Sequence, residues 1–178
     1  MAKINWDISG EGGQAIIEEA GSKRCQLSGK KLMLWNGKSD LVNCELITDI
    51  RLFGTAGYCR GGVMLRSDGS ELNGYACTRV YKSGANSEYL IYKVVGGVWT
   101  QIAQADSNFG WTEWARTRIR IDGWQISVDE WFGGDWFQAV LIEETIHQHA
   151  SGYIGLIGTS TNIVGSILFD NVEISERS

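Results

Sequence analysis

The sequence predicts an all-β fold, a two-sheet antiparallel β-sandwich of the jelly-roll type. Apolar and polar residues alternate with period two along most of the chain, and no stretch of helical period exceeds about ten residues. About thirteen runs of strand length, separated by short turn signals, are too many for one open sheet.

The runs follow in order. The first are "QAIIEE" (14–19), "KRCQLS" (23–28), "KLMLW" (31–35) and "NCELITDIRLF" (43–53). "CRGGVMLRS" (59–67), "NGYACTRVY" (73–81), "SEYLIYKVV" (87–95) and "VWTQIAQA" (98–105) come next. "TEWARTRIRI" (112–121), "WQISVDEW" (124–131), "DWFQAVLIEE" (135–144), "GYIGLIGT" (152–159) and "GSILFDNVEIS" (165–175) complete the series. Between them "DSNFGW" (106–111) reads as a loop, and the glycine-rich residues 1–13 read as an entry arm to a single domain over 14–178. Proline is absent and glycine numbers 23, so the turns rest on Gly, Asn, Asp and Ser.

Composition narrows the function. With 43% hydrophobic and 21% charged residues the chain is globular in class, not disordered. A net charge of −5 without a Lys/Arg block offers no concentrated basic surface, which argues against nucleic acid as a partner. No apolar run reaches membrane-spanning length, and "MAKINWDISGEGG" lacks the apolar centre of a secretory signal, so synthesis in the cytoplasm is the expectation. Cys25, Cys44, Cys59 and Cys77 lack CxxC spacing, which leaves buried free thiols as the default reading and three complete pairings open.

The stretch "WARTRIRIDGWQISVDEW" (114–131) carries the candidate site. Asp122-Gly123 signals a two-residue hairpin turn, which would place Ile121 opposite Trp124, Arg116 opposite Asp129 and Trp114 opposite Trp131. Thr117, Ile119, Ile121, Trp124, Ile126 and Val128 would then face the other sheet, and Trp114, Arg116, Arg118, Arg120, Gln125, Ser127, Asp129 and Trp131 would face away. The turn "WFGGDWF" (131–137) adds Phe132, Trp136 and Phe137. Indole rings stack on apolar sugar faces while Arg, Gln and Asp bond hydroxyls, so Trp114, Arg116, Arg118, Gln125, Asp129, Trp131 and Trp136 form a candidate ligand- or partner-binding set. The same residue types anchor protein interfaces, and tryptophans also simply fill cores.

"GGVMLRS", "YKVVGGVWTQIA", "WARTRIRIDGWQISV", and "GYIGLIG" followed by "ILFDNVEIS" stand in an order that resembles a concanavalin A-like lectin/glucanase jelly roll. The likeness is to the branch with LamG-like and 3-keto-disaccharide hydrolase modules, and it covers roughly residues 43–175. It implies a closing strand broken by a β-bulge at Asp170-Asn171, since Ile167 and Phe169 differ in parity from Val172 and Ile174. Calcium is widespread in that superfamily, and Asp106, Asn108 and Asp170 are oxygen ligands by type, but no metal or other cofactor is assigned. His147 and His149 lack a third ligand. The acidic glucanase motif ExDxxE is absent, and neither Asp129-Glu130 nor Glu143-Glu144 places two carboxylates on one strand face.

Three functions follow. The first expectation is a non-catalytic structural or adhesion module, such as a phage virion protein decorating a capsid, tail or fibre, with a protein lattice or homo-oligomer as partner. The alternative is a carbohydrate-binding module using the Trp/Arg face. The third is a glycoside-active hydrolase.

Overall fold

The computed structural model describes residues 6–9, 13–19, 22–28, 30–35, 37–53, 59–70, 72–82, 84–146, 148–159 and 166–177. Their strands are β1 (Trp6–Ser9), β2 (Gly13–Glu19), β3 (Ser22–Ser28), β4 (Lys30–Trp35), β5 (Cys44–Phe53), β6 (Arg60–Ser67) and β7 (Gly74–Tyr81). The chain continues through β8 (Asn86–Val95), β9 (Val98–Gly110), β10 (Ala115–Asp122), β11 (Gln125–Phe132), β12 (Asp135–Glu143), β13 (Tyr153–Thr159) and β14 (Ser166–Glu176). They form two seven-stranded sheets, β1-β4-β13-β6-β7-β8-β9 and β12-β11-β10-β5-β14-β3-β2. The pairings are antiparallel. The predicted sandwich is therefore the observed fold.

Two expectations need correction. Residues 6–9 of the expected arm form β1, which pairs with β4. The expected loop 106–111 belongs to β9 as far as Gly110, which pairs with Asn86. Its polar residues tolerate a strand because Lys82 binds Asp106, and Ser107 and Asn108 both donate to the Glu130 carboxylate.

Period-two alternation sorts β5 and β10 into buried and half-exposed positions. Leu46, Ile50, Leu52, Ile119, Ile121, Ile126 and Val128 of the second sheet meet Val63, Leu65, Cys77, Ile91 and Leu156 of the first, each 1% exposed or less. Fully burying such a side chain contributes roughly 1.5–3 kcal/mol. Close approach of the sheets explains Gly61, where an added Cβ would lie 2.4 Å from Ile167 Cγ1. The expected bulge is present: register shifts between Asp170 and Glu173, and Asn171 takes φ 50°. Phe169 and Ile174 consequently both pack against the core.

The first sheet is buried on its other face as well. Leu32, Leu34, Met64, Ala76, Leu90, Tyr92 and Ile157 form a second apolar cluster there. The second sheet's outer face carries a row of charged side chains, Arg116, Arg118, Arg120 and Asp129.

Two buried arginines hold opposite ends of the sandwich. Arg66 donates from Nε to Val42 O at 2.9 Å, from Nη1 to His149 O at 3.0 Å, and from Nη2 to Val42 O and Gly123 O. Arg79 donates to Ile50 O and Glu113 O at 2.8 Å each, to Gly110 O at 2.7 Å, to Phe109 O at 3.2 Å and to Ser87 Oγ at 3.1 Å. Each guanidinium thereby satisfies carbonyls that a loop would otherwise leave unpaired.

The four cysteines are free, matching the expectation of free thiols; Cys44, Cys59 and Cys77 are buried and Cys25 is partly so. Burial pushes the thiols up, Cys25 and Cys59 to about 11 and Cys44 to about 12 from an ordinary 9.0.

The arginine ties predict that Arg79→Met destabilises the fold by about 3 kcal/mol or more, through several carbonyls left without a donor. Lys38→Met, which removes an exposed pair with Glu176, leaves the urea midpoint unchanged. The thiols predict an alkaline limit as well. Unfolded thiols lose their protons near pH 9 while Cys25 and Cys59 keep theirs to about 11, so unfolding releases protons and stability falls as pH rises through that window. Urea titrations from pH 8 to 11, repeated after Cys→Ala at 25 and 59, measure that slope.

Candidate functional site

The β10–β11 hairpin turns one residue later than expected. Its two central residues are Gly123 and Trp124, with Asp122 opposite Gln125 and Ile121 opposite Ile126. Gly123 alone of the two has positive φ, 56°, which suits a type II′ turn and not the expected type I′. Tertiary bonds select this register: Gly123 N donates to Asn43 Oδ1 at 2.8 Å and Gly123 O accepts from Arg66. Trp124, expected on the core face of a strand, lies in the turn with the Arg66 guanidinium 4.9 Å from its ring centre. The slip moves the partner by two positions and so preserves parity. Thr117, Ile119, Ile121, Ile126 and Val128 are buried as predicted.

The pairings across the outer face change accordingly. Arg118, not Arg116, stands opposite Asp129. Asp129 Oδ2 accepts from Arg118 Nε at 3.1 Å and from Arg120 Nη2 at 2.8 Å, and Arg120 Nε donates to Ser127 Oγ at 3.1 Å. Asp129 is 2% exposed, so its carboxylate positions the two guanidinium groups. Arg116 turns to β5 and β14, reaching Asp49 at 3.6 Å and Glu173 at 3.0 Å.

Two aromatic stations flank this charged row. At one, Trp131 stands opposite Trp136, not Trp114, across the Gly133-Gly134 turn, with ring centres 5.4 Å apart and planes at 72°. Arg118 covers the Trp136 ring at 4.5 Å, while Trp131 stays 40% exposed. At the other, Trp114 precedes β10 and lies beneath Arg24 at 4.6 Å, with Arg51 at 6.0 Å. Arg24 also pairs with Asp170.

Farther along the same strands, toward the Gly123-Trp124 turn, lies a shallow groove of about 190 Å³, lined by Arg120, Asp122, Gln125, Ser127, Gln138, Leu141 and Arg177. Arg118, Asp129, Trp131 and Trp136 thus come together and Gln125 stands at the far end of β11 from Trp131, whereas Trp114 and Arg116 meet residues of β3, β5 and β14. Gln138, Leu141 and Arg177 were not among the candidates. Alternation from the Gly133-Gly134 turn already aligns Gln138 with Trp136, but nothing local places Arg177, whose amide donates to Asn43 O at 3.1 Å.

On the opposite side of the same hairpin tip, Phe132 and Phe137 are 49% and 51% exposed and meet edge to face at 6.3 Å, with Phe109 5.8 Å from Phe132.

The remaining polar candidates have internal roles. Asp106 binds Lys82, Asn108 binds Glu130 and Asp170 binds Arg24, and among the described residues no three His, Cys, Asp or Glu side chains gather as a metal site. His149 Nε2 contacts Val94 O at 2.8 Å and its ring meets Tyr75 edge-on at 5.3 Å; His147 lies outside the described residues. Asp129 and Glu130 face opposite sides of β11, as expected, and both are buried.

No family model matches the chain, and no curated protein matches it in sequence. Its fold is similar to solved structures. Carbohydrate-binding module CBM66 from Bacillus subtilis superposes with a TM-score of 0.73 at 18% identity, covering 99% of each chain. A legume lectin-like domain from Entamoeba histolytica gives 0.67 at 14% identity, over 98% of this chain and 91% of that one. The VIP36 exoplasmic/lumenal domain, in a Ca2+/Man3GlcNAc-bound form, gives 0.69 at 13%, over 97% and 84%. These likenesses show a lectin-like β-sandwich fold, consistent with the concanavalin-like jelly roll expected from the sequence.

The paired arginines generate a prediction. Asp129→Ala removes two charge-assisted hydrogen bonds and leaves guanidinium groups that are 21% and 23% exposed, so solvent screens part of the loss. A destabilisation of about 2 kcal/mol is expected in urea unfolding.

Proposed function

We propose that the chain is a non-catalytic carbohydrate-binding module whose ligand lies across the outer face of the second sheet. The observation that carries this reading is the exposed Trp131, held against Trp136, on the same strand face as a shallow groove of hydrogen-bonding side chains. An indole face takes the C–H side of a pyranose or furanose ring, and the amides of Gln125 and Gln138 and the guanidinium of Arg120 meet hydroxyls of further sugar units along the polymer. An open groove suits side-on contact with a polysaccharide better than enclosure of a small substrate. Arg118 and Asp129 act by holding the Trp136 ring in place, which pre-organises the platform and lowers the ordering cost of binding. The likeness to a carbohydrate-binding module over the full length of both chains supports the same reading.

A second reading, a structural or adhesion module on a protein lattice, draws on Phe132 and Phe137. Two half-exposed phenylalanines at a hairpin tip are the kind of aromatic anchor that protein interfaces favour. The expected virion surface, as the particular lattice, gains no support from the likenesses above.

Retention by xylan, mannan, β-glucan and fructan in affinity electrophoresis tests the carbohydrate reading. At least one polymer should retard the protein, and Trp131→Ala should weaken that binding about tenfold, the worth of one aromatic stacking contact. Equal migration in every gel removes the proposal, and loss of self-association or partner capture in a Phe132→Ser/Phe137→Ser variant would favour the protein interface.

A further inference from the structure

A slot of about 240 Å³ opens at the edge of the sandwich, lined by Ile102 of β9, Ile142 of β12, and Glu143, Glu144, Thr145 and Ile146, with Lys93 of β8. It is separate from the sheet face described above. Lys93 and Glu144 stand apart from the charged pairs of that face because both are largely buried, with side-chain exposures of 12% and 5%.

Their geometry is unusual. Lys93 Nζ lies 3.7 Å from Glu144 Oε2, beyond the roughly 2.7–2.9 Å of a charge-assisted hydrogen bond. Glu144 Oε1 accepts from Ile146 N at 2.8 Å, but Oε2 is buried and has no hydrogen-bond partner. Unsatisfied buried polar atoms next to a cleft mark a place where a further polar group belongs.

We propose that this slot binds a neutral polyol of monosaccharide size, with one hydroxyl bridging Lys93 and Glu144. A hydroxyl both accepts and donates, so it accepts a hydrogen bond from the ammonium and donates one to the carboxylate. With the two atoms 3.7 Å apart, one oxygen can lie about 2.8 Å from both after a small turn of the Glu144 carboxylate. The ammonium and carboxylate charges cancel, which selects against a charged ligand. Ile102, Ile142 and the 65% exposed Ile146 offer an apolar wall for the C–H face of a ring. The slot's 240 Å³ exceeds a single water's share of about 30 Å³ severalfold.

Saturation-transfer NMR on the intact chain tests this, with glucose, xylose, mannose, fructose and acetamide as probes. At least one of the sugars should receive saturation, and Lys93→Met should weaken its binding about tenfold or more through the lost charged hydrogen bond. Ile146→Glu, placed at the exposed rim where folding does not depend on it, should abolish the signal by bringing a competing carboxylate to Lys93. Trp131→Ala should leave it unchanged. No transfer to any sugar, transfer to acetamide alone, or a sugar signal that survives both Lys93→Met and Ile146→Glu overturns the proposal. Polysaccharide retention without sugar binding in the slot sinks the slot alone, and the converse sinks the sheet-face reading alone.

Discussion

The arrangement depends on buried guanidinium groups bonded to backbone carbonyls. A cation removed from water is costly unless its donors are all met, and loop carbonyls between two sheets are costly for the mirror-image reason. Arg66 and Arg79 resolve both problems together. Arg66 sits at a φ of 48°, an uncommon region for a side chain of its size, and its bonds to Val42, Gly123 and His149 compensate that strain. Because one of those bonds ends on Gly123, Arg66 also decides where the β10–β11 hairpin turns, and therefore which outward residues stand opposite one another.

From that register the candidate face follows. Asp129 falls between Arg118 and Arg120, Arg118 is drawn over Trp136, and Trp131 is left open against it. The first sheet's outer side carries instead Leu32, Met64, Leu90 and Ile157 in a second buried apolar layer, with Tyr92 edge-on to Trp99 and bonded by Arg60. Among the described residues, the row of Arg118, Asp129 and Arg120 lies on the second sheet's outer face.

Much of the fold was legible in local pattern. Strand positions from β2 to β14 followed from alternation, and the bulge at Asp170-Asn171 followed from a parity conflict between Phe169 and Ile174. The face assignment of Thr117, Ile119, Ile121, Ile126 and Val128 survived a wrong turn position, since a slip of two residues returns every side chain to its own side. Two readings failed for one reason. The stretch 106–111 read as a loop by its polar composition, yet Glu130 supplies the partners that let Ser107 and Asn108 remain in a strand; and Asp122-Gly123 read as the turn by its dipeptide, yet Asn43 and Arg66 hold Gly123 elsewhere.

By itself the sequence determined the all-β class, the sandwich, and the inward and outward sets of the central hairpin, because each depends on a period or spacing within one segment. Tertiary structure alone decided that Asp129 serves Arg118 and Arg120, that Arg177 joins Gln125 and Gln138 at a groove, and that Lys93 meets Glu144 behind three isoleucines. Those are contacts between segments far apart in the chain, and a charged side chain's partner is set by which strands the core brings together, a quantity no local pattern encodes.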